Sequence, residues 1–173
     1  MTFERQLENL APEALVIRIA TAVDVHELDS MVRRLATLLG RPDVVESSPD
    51  DFLQHGFGAA PRFTAFIASK GRVNLGFAIA IPSFCSRRGH PGVLIDAFFA
   101  EPGPEQKLIA RGLVSLAIDH CEGRGGRYVE IYRRNSNVGS SLLEGVLQDL
   151  HRRNPQIRVA TSSEELGIEP LLH

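Results

Sequence analysis

Tryptophan is absent from this chain of 173 residues, and tyrosine and cysteine occur only twice each. The two cysteines, Cys85 and Cys121, are far apart and stand in no CxxC or Cys/His ligand spacing, so the sequence offers neither a redox pair nor a thiolate metal site. They read as two small buried thiols. With no such staple, the 43% of apolar residues must supply the core, which is enough for one ordinary domain. Long hydrophobic runs are missing too: none approaches the roughly 20 residues that cross a bilayer. Neither sign of charge dominates. Nineteen basic residues face 21 acidic ones, for a net charge of −2. That balance argues against a nucleic-acid binder, whose domain is normally basic, and against a chain held to anionic lipid. The opening Met1-Thr2-Phe3-Glu4-Arg5 has acidic and polar residues where a signal peptide carries its apolar stretch. The expectation is a soluble, cytoplasmic protein with a leader over 1–14 and a single domain over 15–173. No repeat, no GxGxxG and no GxxxxGK[ST] occurs, so the common nucleotide-binding folds lose their best signal.

What is present is regular patterning. Leu15 to Ala20 is a β-branched run of strand length. Thr21 followed by Asp24 has the form of a capping box, and Val25, Leu28, Val32, Leu35 and Leu39 then make one helical stripe, stopped by Gly40 and Pro42. Ser47-Ser48-Pro49-Asp50-Asp51 starts a second, short helix. Arg62 to Ser69 and Val73 to Pro82 read as antiparallel strands around Gly71, and 83–92 as a loop rich in Ser, Arg and Gly. Val93 to Ala100 is too apolar for an edge and should lie centrally. A helix over Glu105–Glu122, a strand over Arg127–Tyr132, a helix from Val138 to about Arg153 and a short strand over Ile157–Ala160 complete the chain. Three consecutive strands imply a meander, and the later strand-helix-strand implies a parallel crossover. The fold class is therefore α/β with a mixed sheet, of the α+β kind rather than doubly wound.

That order of elements resembles the GNAT superfamily of acyl-CoA-dependent N-acyltransferases, and three segments carry the resemblance. Ile17-Arg18-Ile19-Ala20-Thr21-Ala22-Val23-Asp24 is similar to the family's first strand and helix cap. Asp51-Phe52-Leu53-Gln54-His55-Gly56-Phe57-Gly58, with Pro61-Arg62-Phe63 beyond it, looks like the second helix and loop of the diamine acetyltransferase branch. Leu94-Ile95-Asp96-Ala97-Phe98-Phe99 resembles that branch's central strand. The likeness covers roughly residues 15–145. It implies a GNAT-like sheet of about six or seven strands with helices on both faces, acetyl-CoA as cosubstrate, no metal, and a small-molecule amine as partner. It implies neither nucleic acid nor membrane, and a homodimer stays open.

The resemblance also assigns residues. The family cradles the cofactor pyrophosphate at a helix start, where free N–H groups and the dipole favour an anion. The usual loop is [QR]xxGx[GA]. Here the segment Glu105-Gln106-Lys107-Leu108-Ile109-Ala110 matches it clearly only at Ala110, so the loop is degenerate, with Lys107 and Arg111 left to supply positive charge. Phe98, Phe99 and Ala100 on the strand end, and Asn135 beyond the next strand, complete the cofactor set. Where the two strands part, the pantetheine arm would pair with the exposed backbone. Asp96 aligns with an acid of the branch and is the candidate base or amine-binding group. The other possibility for it is a core acid satisfied by backbone donors or an arginine. The branch's adjacent second acid is Ala97 here. The family's thiolate-protonating tyrosine is missing, leaving Tyr132 and His151 as candidate donors, against ordinary sheet packing for the first and an exposed helical histidine for the second. His55 and Phe57 join Asp96 as substrate-side candidates. A reading from another class stays open: a degenerate domain of this fold that binds a CoA-type ligand or a protein partner without turnover.

Overall fold

Two acids start the first two helices, and both do so by the same local chemistry. In a computed structural model, which describes residues 13–162, Asp24 accepts the Thr21 backbone N–H at 2.7 Å. It also takes both Nη atoms of Arg18 at 2.8 Å. A single turn of 3₁₀ helix over Ala22–Asp24 then leads into α1 (Val25–Leu38). Asp51 closes the second box, accepting the Ser48 N–H at 2.9 Å at the head of α2 (Pro49–Gly56). Most of the leader (1–12) and the stretch 163–173 lie outside the described residues.

The strands are β1 (Leu15–Ile19), β2 (Thr64–Lys70), β3 (Val73–Cys85), β4 (His90–Ala100), β5 (Tyr128–Ile131) and β6 (Arg158–Thr161). The remaining helices are α3 (Gln106–Glu122) and α4 (Ser140–Arg153). They build one six-stranded sheet in which strands follow chain order, β1-β2-β3-β4-β5-β6. The first four pair antiparallel, and β4-β5 and β5-β6 pair parallel. The mixed α/β sheet expected from the sequence is what forms, with β4 in its interior.

Alternation along the strands sorts the two faces. Phe66, Ala78, Ile95 and Phe98 pack with α3 and α4 in one core. Ile67, Phe77, Ile79 and Phe99 pack with α1 and α2 in the other. Two expectations need correction. The stretch 83–92 is not a loop: Ser83 pairs with Gly92, Phe84 with Pro91 and Cys85 with His90, extending the β3-β4 hairpin to a turn at Gly89, whose φ is 68°. Gly92 carries no Cβ because one would stand 2.5 Å from Tyr128. Of the two thiols, Cys121 is buried but Cys85, near the hairpin tip, is only half-buried.

Candidate functional site

The β3-β4 ladder skips one residue. Ile79 pairs with Ala97, yet Ala80 pairs with Ile95, so Asp96 bulges out of the register with no cross-strand partner. Its side chain is half-buried and lines a cavity of about 410 Å³ between the sheet and α1 and α2. The cavity wall is mainly apolar, with Val32, Leu35 and Leu39 from α1, Phe52 from α2, and Phe63, Ile79 and Ile81 from the sheet side. Arg41, Arg62 and Asn135 line it as well. Burial pushes the Asp96 carboxyl above its ordinary value. No hydrogen bond or ion pair from the described residues reaches that side chain, and burial is what perturbs its carboxyl.

Beyond Asp96, β4 and β5 part. Their ladder runs from Val93 with Val129 to Ile95 with Ile131, and the Tyr132 N–H donates to the Ile95 carbonyl at 2.9 Å. Exposed backbone is the expectation past this point. Instead the chain covers it with its own segment. Phe98 forms an isolated parallel bridge to Ser136. The Asn137 side chain then docks on Ala100 as a peptide group would: Oδ1 accepts the Ala100 N–H at 3.0 Å and Nδ2 donates to its carbonyl at 2.7 Å. Gln106 Nε2 donates to the same carbonyl at 3.1 Å.

The start of α3 is poor in anion-binding features. Pro102 and Pro104 remove two N–H donors. Glu101 and Glu105 bring two carboxylates, paired to Arg34 at 2.5 Å and Lys70 at 2.9 Å. Glu101 Oε2 is buried without a hydrogen-bond partner among the described residues. Lys107 and Leu108 are exposed and Arg111 is half-buried, whereas Ile109 and Ala110 point into the core. A second cavity, of about 400 Å³, lies between the end of α1, Pro102 and the segment leading into α4. Arg133, Arg134, Ser136, Asn137 and Ser140 line it, and the Arg133 guanidinium donates to the Ser140 hydroxyl. Two cations beside a helix start are better suited to a phosphate than the α3 entrance is.

The structure thus brings together Asp96 and Asn135 at one cavity, and sets Ala100 and Gln106 beside the Asn137 contact. The side chains of Phe98, Phe99 and Ala100 are fully buried, so only their backbone could meet a cofactor. The Arg34 guanidinium covers the Phe99 ring at 5.4 Å. Tyr132 is exposed just past β5. His151 sits apart from Asp96: its Nδ1 lies 3.1 Å from the Ile157 carbonyl, in a separate cavity with Gln148 and Thr161. His55 is exposed at the end of α2, where its carbonyl accepts the Arg62 N–H at 2.7 Å. Phe57 packs edge-on against the cavity residue Phe63, with ring centroids 6.3 Å apart. Arg41, Arg62, Arg133, Arg134 and Asn137 were missed. The Arg-Arg-Asn-Ser-Asn run between a strand and a helix was the available signal for the last three.

Among the described residues, no group of three His, Cys, Asp or Glu could hold a metal ion, and no helix is long and apolar enough to cross a membrane.

Solved structures share this architecture. A ribosomal-protein-alanine N-acetyltransferase from Brucella melitensis biovar Abortus 2308 is 19% identical, with 79% of this chain and 90% of that one covered and a TM-score of 0.56. An aminoglycoside acetyltransferase from an uncultured soil metagenomic sample is 12% identical, with 79% and 90% covered and a TM-score of 0.61. An aminoglycoside N-acetyltransferase in complex with CoA is 18% identical, with 83% and 88% covered and a TM-score of 0.53. At these identities the likeness is one of fold. No protein-family model and no curated protein matches the chain.

Proposed function

We propose that this protein is an N-acyltransferase of the GNAT type, moving an acyl group from an acyl-CoA, most simply acetyl-CoA, to the primary amine of a small molecule. The observation that carries this reading is the Asp96 carboxylate, bulged from the central strand into a cavity beside the parting of β4 and β5, in a fold shared with acetyltransferases. Asp96 takes the proton of the bound ammonium, directly or through one water. The freed nitrogen attacks the thioester carbonyl and forms the C–N bond. Backbone N–H groups past the bulge can hold the developing oxyanion. The C–S bond then breaks; Tyr132, the exposed donor just past β5, protonates the departing thiolate and recovers its proton through water from the acylated nitrogen, which sheds its surplus proton to become the amide. Arg133 and Arg134 supply charge for the phosphates, with Lys107 and Arg111 near the α3 start.

Two observations favour a second reading, a domain that binds a CoA-type ligand or a protein partner without turnover. The Asn137 side chain already fills the backbone sites on Ala100, and two acids stand at the α3 entrance.

The test is thermal shift with acetyl-CoA and CoA, followed by CoA release against a panel of amines, on the wild type and Asp96→Asn. Asp96→Asn should lose about 10²–10⁴-fold in rate. Its stability at pH 7 should not fall. A carboxyl raised by burial costs the fold stability as it ionises, from its ordinary value upward, and the amide removes that cost. Full activity in the variant refutes the base assignment. CoA binding with no amine acylated selects the second reading.

A further inference from the structure

The cavity that holds Asp96 contains charges of both signs. Asp96 stands on its sheet side, and Arg41 and Arg62 come from the connections that follow α1 and α2. Arg41 Nη2 donates to the Arg134 carbonyl at 2.7 Å and to Asn135 Oδ1 at 3.3 Å. Both acceptors are neutral, so the guanidinium charge is not cancelled. Arg62 is exposed, and its side chain meets no acid among the described residues. The rest of the wall is mainly aliphatic and aromatic. At about 410 Å³ the space lies toward the small end of small-molecule sites, which run to roughly 300–1,000 Å³.

We propose that this cavity takes an apolar α-amino acid, with its ammonium at Asp96, its carboxylate at Arg62 and Arg41, and its side chain among the apolar wall residues. The inference rests on the acyltransferase reading for what happens to the ligand, but not for whether it binds. A polyamine would set further ammonium groups against two unpaired guanidiniums and leave the apolar wall unfilled. A simple apolar amine would fill the wall and satisfy Asp96 but leave both arginines without an anion. A free amino acid matches all three features, because its carboxylate lies two bonds from its amine. A peptide N-terminus lacks that carboxylate.

The experiment is calorimetric titration of the full chain with L-phenylalanine, L-leucine, phenethylamine, L-phenylalaninamide and spermidine. L-Phenylalaninamide stands in for a peptide N-terminus. L-Phenylalanine should bind about tenfold or more tightly than phenethylamine or the amide, the worth of one charge-assisted contact. Arg62→Ala should narrow that difference severalfold, with Arg41 left to hold the carboxylate alone, and Arg62→Lys should restore part of it. Arg62 makes no side-chain hydrogen bond among the described residues, so the variant should fold. Equal or tighter binding of phenethylamine, the amide or spermidine overturns the proposal. So does failure of both amino acids to bind. CoA release with the same compounds keeps the two claims apart. Acylation of amines but not of the amino acids overturns this inference and leaves the acyltransferase reading standing. Binding of the amino acids with no acylation of any compound keeps the inference and overturns that reading.

Discussion

Asn137→Ala tests whether the chain's own side chain occupies the backbone that the proposed CoA cosubstrate would use. Ala100 is fully buried, and its N–H has Asn137 Oδ1 as partner at 3.0 Å. Losing that acceptor orphans a buried donor, at about 1–3 kcal/mol. The Ala100 carbonyl loses Asn137 Nδ2 but keeps Gln106, so the second loss costs only about 0.5–1.5 kcal/mol. The variant should therefore be about 2–4 kcal/mol less stable by urea unfolding. Saturating CoA should then return more stability to the variant than to the wild type. In the variant a pantetheine amide can satisfy Ala100 without first displacing Asn137, and ligand stabilisation follows RT ln(1 + [L]/Kd). A loss below about 0.5 kcal/mol would show that Asn137 does not hold β4, since ordinary surface substitutions stay within that range. An equal CoA increment in both proteins would show that the cosubstrate does not use Ala100.

Two further outcomes follow from the fold. Asp24 is held down to about 2, from an ordinary 3.8, chiefly by the Arg18 guanidinium and also by the Thr21 N–H. Its contribution is present above pH 4 and is lost as pH falls through 3.8 toward 2. Asp24→Asn should cost about 1–2 kcal/mol at pH 7, discounted because the Arg18 side chain is 42% exposed. The gap to wild type should narrow between pH 5 and pH 3, and a gap independent of pH would contradict the assignment. Gly76→Ala would put a Cβ 2.7 Å from both the Phe99 carbonyl oxygen and Ile109 Cγ2, between the sheet and α3. It should destabilise by about 1–3 kcal/mol, and an unchanged Tm would show that the contact relaxes freely.

How much of this was legible in the sequence depended on how far apart the interacting residues lie. The Thr21/Asp24 box and the helix start at Ser47–Asp51 are local, and both formed, the second as a full box between Ser48 and Asp51. The α1 stripe is local as well, with Leu28 and Leu35 buried as its spacing requires, although Met31 joined them and Leu39 stayed only partly covered. The hairpin tip reads as a loop because its serines, arginines and glycines signal one, while the pairing that overrides them is set across the sheet. Asp96 could be picked out through the resemblance of its strand to the family's central strand. Its displacement could not, because a bulge is a mismatch between two strands rather than a property of one. The Asn137–Ala100 contact joins residues 37 apart, and Arg41 and Arg62 reach the cavity from separate connections. Neither leaves a local pattern to read.

The chain-order sheet has a kinetic consequence. β2, β3 and β4 close through Gly71-Arg72 and through the turn at 86–89, so their pairing needs little loop-closure entropy. The parallel partners β5 and β6 must wait for α3 and α4 to cross over before any ladder bond forms. The meander is therefore expected to assemble first and to offer β4 as a template. Substitutions in the β3-β4 hairpin, such as Ile79→Val, should slow refolding, while Ile131→Val in β5 should mainly speed unfolding. Stopped-flow chevrons would separate the two. The reverse pattern would mean that the crossover, with the segment that carries Asn137, sets the rate at which the whole site takes shape.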